Sequence, residues 1–528
     1  MTAAGRYLAT QSRGGSFAAM FPPGAYWLGL CAVVFAADAT AQRRVPLPTP
    51  DDVTLVEDVQ YAEGFAREPR RNRLDLYVPK RVAKPPLVMF VHGGAWTGGS
   101  KEGWGRLAHG LCARGFAFAA INTQMNPFAE PSDMVADCGR AMKWLHDHAG
   151  EHGFDGERLW MMGHSSGAHL VTWLAFDEAR LAASGVPRAA VQGVIGLSGV
   201  YEMRSRHLVL DKVFGEDPAI RRDATPLVHV SPGDPPAYLL WGEHDMACLS
   251  LCGRMLQHRL QEVGVPVAAS ELPGADHVGY VLHLGAPGEP VLDAITAFLR
   301  KPPPAPPRVV AEAVVPTTGT LAATLPCEWV RGTAPARASC VWLCRSDDER
   351  TIARAMVDAM LPHRVAFVMV DAKDALPAAV AQTFLELRRK AIALGLPAPE
   401  FLGGLGESGL LAATTSLGVN DGLRGRIVVG SPLGFLSIGK ARPGQVVPDV
   451  PGLLAAGTGA RPSLLLVTGE LDAKVVRNEC LQIAMVLGSK GVAVHMVEVP
   501  DHDSPLTWRR LGSKDDVMAP MLRAFLVP

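Results

Sequence analysis

The chain has 528 residues, several times the length of a typical domain, so its length alone favours two domains. Its 51 lysine and arginine residues nearly balance its 52 aspartate and glutamate residues, which argues against a strongly basic nucleic-acid-binding protein. Apolar residues make up 48% of the chain, enough for packed cores, so wholesale disorder is excluded.

Residues 1–41 have the features of an export signal. Arg6 and Arg13 supply positive charge, and residues 25–37 form an apolar run that ends near an Ala-Thr-Ala cleavage pattern. The run is short for a helix that spans a bilayer. We therefore expect cleavage before Gln42 and an exported protein, periplasmic or secreted, without a stable membrane anchor. The alternative is a retained N-terminal anchor.

The first unit, residues 42–300, alternates short apolar runs with helical patterns. Six segments are predicted strands: 86–94, 116–122, 158–165, 191–199, 236–245 and 267–277. Three segments are predicted helices: 104–115, 133–150 and 291–300. Buried strands separated by helices are typical of an α/β domain in which helices cover both faces of a mostly parallel sheet.

A G-x-S-x-G motif, residues 163–167, lies between a predicted strand and an apolar helical segment. In this context the motif predicts a sharp strand-to-helix turn that exposes the hydroxyl of Ser165. The start of a helix at this point also favours developing negative charge. Ser165 is therefore the candidate nucleophile.

A serine hydroxyl needs a base to take its proton and an acid to orient that base. His277 follows the last predicted strand, and Asp245 follows the strand before it. The chain order serine, acid, histidine is the order that this type of fold requires. Asp276 and Glu243 are alternative acids, and Asp245 is favoured because it lies just past a strand end.

The segment His92-Gly93-Gly94 directly follows a predicted strand. Glycines let backbone N–H groups approach a substrate without a Cβ in the way, as an oxyanion hole requires. We expect Gly93, Gly94 and Ser166 to donate these N–H groups. Trp96, beside this loop, and His164, beside the nucleophile, are candidates for the substrate pocket.

These residues resemble the bacterial carboxylesterase and arylformamidase branch of the α/β-hydrolase fold, related to hormone-sensitive-lipase-like esterases. The matching segments are RNRLDLYVP (71–79), FVHGGAW (90–96), GHSSGAH (163–169), WGEHD (241–245) and GADH (274–277). The resemblance covers residues 56–300. It implies hydrolysis of small esters through an acyl-enzyme, with N-formylkynurenine or another amide as the alternative substrate, and with neither a cofactor nor a metal. The short connection between residues 199 and 245 argues against a large lipase-type lid.

A proline-rich segment, residues 301–317, predicts an extended linker without a helix or central strand. After it, residues 318–528 repeat the order of elements in the first unit. The corresponding segments are 338–344, 360–372, 383–395, 400–413, 425–434, 463–472 and 497–503. So many matches in order predict two tandem α/β-hydrolase domains.

The second unit has Ser408, Asp472 and His502 in the same order as the first triad. However, Leu410 occupies the position of the second glycine of the motif, and no His-Gly-Gly segment follows the predicted strand 338–344. Loss of one oxyanion donor typically costs catalysis about 2.7–4 kcal/mol. We therefore expect the second copy to be inactive.

Three other interpretations remain. Residues 404–409 match G-x-G-x-x-G, but the acidic residue of a dinucleotide site is missing after the next strand. His164 and His169 could be metal ligands, although an exposed neighbour of the nucleophile and a packed histidine account for them. The whole chain could be a non-catalytic binding protein, which fits the second unit better than the first.

The cysteines indicate neither a zinc ribbon nor a thioredoxin-like site, because no CxxC pair is present. Cys340 and Cys344 lie in one predicted strand, where four residues span about 13 Å, beyond disulfide reach. We therefore expect no bond between these two, and the pairing of the others stays open, as does the oligomeric state.

Overall fold

The structure is a computed structural model. It describes residues 48–63, 71–204, 208–245, 249–307, 317–321, 323–332, 335–391, 396–405, 412, 415, 422–429, 463–469, 492–499 and 516–527. The export signal predicted for residues 1–41 lies outside the described residues, and so do Ser408, Asp472 and His502.

The first unit contains one eight-stranded sheet. Its strands are β1 (Val53–Gln60), β2 (Arg73–Pro79), β3 (Pro86–Val91), β4 (Ala117–Asn122), β5 (Asp155–His164), β6 (Val191–Leu197), β7 (Ala237–His244) and β8 (Val267–Asp276). Their order is β1-β2-β4-β3-β5-β6-β7-β8, and every pair from β4 to β8 is parallel. The prediction of a mostly parallel sheet is confirmed. The antiparallel pairs, β1 with β2 and β2 with β4, lie at one edge.

The helices of the first unit join these strands. They are α1 (Gly105–Ala113), α2 (Pro131–Asp147), α3 (Ala149–His152), α4 (Ser166–Phe176), α5 (Glu178–Ser184), α6 (Leu208–Phe214), α7 (Pro218–Asp223), α8 (Pro226–His229), α9 (Leu249–Val263), α10 (Gly279–His283) and α11 (Val291–Arg300). Three short helices, α6 to α8, fill the connection between β6 and β7.

The central strands form from continuous apolar runs because both faces of the sheet are covered. In β3, Leu87, Met89 and Val91 join one hydrophobic cluster, whereas Val88 and Phe90 join a second cluster on the opposite face. All five side chains are essentially inaccessible to solvent. This two-sided burial holds the carboxyl ends of the strands at a fixed edge of the sheet.

The second unit contains another eight-stranded sheet. Its strands are β9 (Thr317–Leu321), β10 (Cys327–Arg331), β11 (Ala338–Cys344), β12 (Val365–Asp371), β13 (Phe401–Leu405), β14 (Gly425–Val429), β15 (Ser463–Gly469) and β16 (Val494–Val499). Their order, β9-β10-β12-β11-β13-β14-β15-β16, matches that of the first sheet strand for strand. The antiparallel pairs of this sheet, β9 with β10 and β10 with β12, lie at the edge that corresponds to β1 and β2 in the first sheet. The prediction of tandem α/β domains is thereby confirmed at the level of fold.

Two details of the second unit bear on the sequence predictions. β9 begins at Thr317, at the end of the predicted linker, and it is an edge strand, where a nearby proline-rich segment is tolerated. Cys340 and Cys344 are both free, as expected.

The two units pack together through helices. The described helices of the second unit are α12 (Asp347–Met360), α13 (Pro377–Ala391) and α14 (Met518–Leu526). α14 packs on α9 of the first unit, and the Arg523 guanidinium donates to the Glu262 carboxylate across this contact. One hydrophobic cluster continues through both units. Among the described residues, no helix combines the length and apolar composition that a membrane span requires.

Candidate active site

Four neighbouring strands of the first sheet carry polar side chains where they end. Ser165 follows β5, Ser198 follows β6, Asp245 follows β7 and His277 follows β8. Because these strands are parallel and adjacent, their carboxyl ends meet at one edge of the sheet. In open α/β sheets this edge is where ligands bind.

Ser165 occupies a strained turn between β5 and α4. Its φ of 54° and ψ of −119° are rare for a residue with a side chain, and its N–H donates to the Leu197 carbonyl at 2.8 Å. A Cβ at Gly163 would lie 2.4 Å from the Gly167 backbone, and one at Gly167 would lie 2.1 Å from the Val91 oxygen. Both positions therefore require glycine.

Ser165, His277 and Asp245 form a continuous hydrogen-bonded chain. His277 Nε2 lies 3.0 Å from Ser165 Oγ, and His277 Nδ1 lies 2.6 Å from Asp245 Oδ1. A carboxylate only accepts, so Nδ1 carries a proton and donates it to Asp245, which leaves Nε2 free to accept from the serine when the ring is neutral. The side chains of His277 and Asp245 are 7% and 2% exposed.

The two alternative acids lie elsewhere in the same loops. The Glu243 carboxylate accepts from the Gly274 N–H at 2.8 Å. The Asp276 carboxylate accepts from the N–H groups of Val278 and Gly279 and so shapes the turn into α10. Of the three acids, Asp245 is the one that the structure brings to His277.

Two hydroxyl groups that the sequence analysis did not single out also belong to this site. Ser198 Oγ donates to Asp245 Oδ2 at 2.5 Å, and the Tyr280 hydroxyl lies 2.8 Å from Ser198 Oγ. The Gly242 N–H also donates to Asp245 Oδ2, at 3.2 Å. The only available sequence signal was that Ser198, like the triad members, follows a strand end.

The structure places Gly93 against the nucleophile. A Cβ on Gly93 would lie 3.1 Å from Ser165 Cβ, and Gly94 has a φ of 136° that favours glycine. Within the described residues, neither glycine N–H donates to a backbone carbonyl. Ser166 is the first residue of α4, so its N–H lacks an intrahelical acceptor. Gly93 and Ser166 thus lie beside the serine, and the N–H groups of Gly93, Gly94 and Ser166 are the candidate oxyanion donors.

His164 differs from the sequence expectation. It was expected as an exposed neighbour of the nucleophile and a pocket residue, but it is only 7% exposed. Its Nε2 donates to the His277 carbonyl at 2.9 Å, so it holds the backbone of the candidate base. Burial, and secondly the positive charge that His277 can carry, lower the pKa of His164 to about 3, so the ring is neutral.

Trp96 is buried as well, 4% exposed, and packs behind the oxyanion turn. Its indole N–H donates to His169 Nδ1 at 3.1 Å, and His169 Nε2 donates to the Ala224 carbonyl at 2.7 Å. The ring of Phe214 meets Trp96 edge-on at 5.0 Å. Because its polar atom and its faces are used by the protein, Trp96 supports the turn and does not present its ring to solvent.

Neither His164 nor His169 lies in a group of metal-type ligands. In the part of the chain that the structure describes, one such group exists, formed by Asp177, Asp223 and His229. The Arg180 guanidinium pairs with both of these carboxylates and offsets part of their negative charge.

Comparisons with known proteins find a family model and several esterase relatives. Residues 74–260 match the protein-family model BD-FAE. The chain is 29% identical over 237 residues to "Probable isoprenylcysteine alpha-carbonyl methylesterase ICMEL1" of Arabidopsis thaliana, an alignment that covers 40% of this chain and 49% of that protein. It is 26% identical over 278 residues to "Esterase LipQ" of Mycobacterium tuberculosis, covering 48% of this chain and 64% of that protein. The chain thus spans about half to two thirds of the length of these relatives.

Solved structures resemble this chain more distantly. The crystal structure of esterase B from Lactobacillus rhamnosis superposes with a TM-score of 0.44 and 22% identity, covering 52% of this chain and 92% of that one. A structure of an arylesterase gives a TM-score of 0.41 and 18% identity, covering 52% of this chain and 97% of that one.

Proposed function

We propose that the first unit is an α/β-hydrolase of the esterase type, an exported serine hydrolase that cleaves small carboxylic esters. The observation that carries this proposal is the hydrogen-bonded chain from Asp245 through His277 to Ser165. The closeness of Gly93 to Ser165 supports an oxyanion hole at the same serine. A binding protein would have no need for this combination.

Acylation begins when Ser165 Oγ attacks the carbonyl carbon of the ester. The hydroxyl proton passes to His277 Nε2, and the carbonyl π electrons move onto the oxygen, which becomes an oxyanion. The N–H groups of Gly93, Gly94 and Ser166 stabilise that charge. Asp245 stabilises the imidazolium that forms.

Collapse of the oxyanion breaks the bond to the leaving group, which takes the proton from His277 Nε2 and departs as an alcohol. A water molecule then attacks the acyl-enzyme while the same nitrogen takes one of its protons. The second oxyanion expels Ser165 Oγ, which recovers that proton, and the carboxylic acid is released. The base works only when neutral, so activity falls as the medium is acidified.

The substrate class follows from the names of the relatives and from the site. Two of the relatives are described as a methylesterase and an esterase, which favours esters over amides. The connection between β6 and β7 holds only short helices, α6 to α8, so the site lacks a long lid in its described part. Both features support small, soluble esters.

The test combines turnover and labelling. Purified protein should hydrolyse p-nitrophenyl acetate and react with a fluorophosphonate probe, and Ser165→Ala should abolish both. Ser408→Ala serves as the matched control and should leave both unchanged. Labelling that survives Ser165→Ala and disappears in Ser408→Ala would assign the chemistry to the second unit. Faster turnover of N-formylkynurenine than of any ester would make the enzyme a formamidase.

The second unit is proposed to be non-catalytic, on sequence grounds. Leu410 replaces a motif glycine, and a His-Gly-Gly segment is missing after the strand that corresponds to β3. Its contact with α9 gives it a structural role instead. Export is proposed from residues 1–41, and N-terminal sequencing of the mature protein should give Gln42 as the first residue.

A further inference from the structure

Ser198 is held in a conformation that its surroundings must enforce. Its φ is 50°, unusual for a non-glycine residue, and its N–H donates to the Leu240 carbonyl at 2.7 Å. The residue is 1% exposed. A strained backbone conformation of this kind persists only where the surrounding contacts hold it in place. Such residues are concentrated at functional sites.

The hydrogen-bond directions in this region follow from chemistry. The Asp245 carboxylate has no proton, so the Ser198 hydroxyl must donate to Asp245 Oδ2. Since Ser198 has then used its only hydrogen, the Tyr280 hydroxyl must donate to Ser198 Oγ. Burial raises the pKa of Tyr280 well above its usual value, so this phenol remains a donor. The result is a directed chain of two hydroxyl groups that ends on the carboxylate.

The chain of two hydroxyl groups ends at the oxygen of Asp245 that His277 does not contact. Oδ1 accepts from His277 Nδ1, whereas Oδ2 accepts from Ser198 Oγ and from the Gly242 N–H. Two donors on one oxygen prevent the carboxylate from rotating about its Cβ–Cγ bond. They also stabilise a negative charge that is almost fully buried.

We propose that Ser198 and Tyr280 are positioning residues that fix the Asp245 carboxylate, and through it the orientation and basicity of His277. This inference rests on the function proposed above, because it assigns a role within the same triad. Both residues act through Asp245, because Tyr280 binds Ser198 and Ser198 binds the carboxylate.

Removal of the hydroxyls tests the proposal. Ser198→Ala should lower kcat about tenfold and Tyr280→Phe about threefold, with KM changed less than twofold, because a carboxylate that can rotate holds His277 less well in line with Ser165 during proton transfer. Without its donor, Asp245 attracts a proton on His277 more strongly. The acidic limb of kcat/KM against pH should therefore move to higher pH in both variants. The double variant should be no slower than Ser198→Ala, because Tyr280 acts only through Ser198.

The same sheet offers a matched control. The Tyr238 hydroxyl lies 3.0 Å from Ser270 Oγ, a similar pair that joins β7 to β8 without contacting the triad. Tyr238→Phe and Ser270→Ala should leave kcat and the pH profile unchanged, even where they lower the melting temperature. A purely structural role for Ser198 and Tyr280 would give the same pattern as this control.

The outcomes separate this proposal from the proposed function. An active wild type whose Ser198→Ala and Tyr280→Phe variants keep full kcat and an unchanged acidic limb would overturn the positioning role and leave the esterase intact. A wild type that neither turns over esters nor labels with fluorophosphonate would overturn the function itself. If Ser198→Ala fails to fold, Tyr280→Phe, which removes a single oxygen atom, carries the test.

Discussion

At the scale of single residues, Gly93 has no room for a side chain beside the nucleophile. A Cβ there would lie 2.8 Å from His164 Nδ1 and 3.1 Å from Ser165 Cβ. Gly93→Ala should therefore lower kcat by about 100-fold or more while the protein stays folded, because the donor N–H must shift. Turnover and fluorophosphonate labelling measure the effect. Gly150→Ala is the control, since a Cβ at Gly150 would meet nothing within 4 Å.

The three acids near His277 give a second residue-scale prediction. Asp245→Asn should lower kcat about 10⁴-fold, because an amide cannot hold the histidine in the required tautomer. Asp276→Asn and Glu243→Gln, whose carboxylates bind backbone N–H groups, should change kcat less than tenfold. A larger loss in either of these than in Asp245→Asn would reassign the acid.

The residues of the triad could be predicted from the sequence, whereas their supports could not. Ser165, Asp245 and His277 each follow an apolar run, and their chemistry and chain order limit the choices. Ser198 and Tyr280 meet only because β6, β7 and β8 are neighbours in the sheet and α10 turns back over them. A sequence gives strand positions but not which strands are adjacent, so this contact had no signal of its own.

At the scale of elements, one buried hydrogen-bonded chain ties the oxyanion turn to two helices. Trp96 lies in that turn, His169 lies in α4, and Ala224 follows α7. Trp96→Phe should lower the free energy of unfolding by about 1–3 kcal/mol, because it leaves His169 Nδ1 buried without a donor. Urea denaturation measures the loss. Trp104→Phe, at a half-buried position, should cost less, and an equal or greater cost there would refute the role of this chain.

The elements themselves were predictable to different degrees. Strands β3 to β8 can be recognised in the sequence, because a strand whose two faces are both buried needs an unbroken run of apolar residues. β1 cannot, because seven of its eight side chains are only partly buried or exposed, and its pairing with β2 shifts register between Val56 and Val59. The helices α6 to α8 have too few residues to show a helical period, and tertiary contacts such as Phe214 on Trp96 decide their form.

At the scale of the whole molecule, we expect the stability of the contact between the units to depend on pH. His258 in α9 is 8% exposed, and burial, then the positive charges of Arg523, His363, Arg254 and Arg337, lower its pKa to about 3. The unfolded chain binds this proton near pH 6.5 and the folded chain does not, so stability is full above pH 6.5 and declines below it.

A substitution tests this dependence. Between pH 7 and 5 the loss attributable to His258 is about 2 kcal/mol, so His258→Gln should reduce the pH dependence of the unfolding free energy by that amount. His283→Gln, at an exposed position, is the control and should leave the dependence unchanged. Equal slopes for wild type and His258→Gln would contradict the assignment.

The docking of α14 on α9 gives a further whole-molecule prediction. Leu522 in α14 is fully buried, so Leu522→Ala should lower the free energy of unfolding by about 2–5 kcal/mol. Leu385 in α13, 37% exposed, provides the control, and Leu385→Ala should cost far less. Similar costs for the two would mean that α14 does not stabilise the assembly of the two units.

The separation of α9 and α14 along the chain has a consequence for how the protein is made. α9 ends at Val263 and α14 begins at Met518, so the ribosome makes the helix that packs on α9 long after α9 itself. The unit synthesised first therefore stays partly uncovered until α14 has been made. A protease that separates the two units would leave α9 bare, and cellular quality control that binds uncovered helices would then remove the separated unit and spare the joined one.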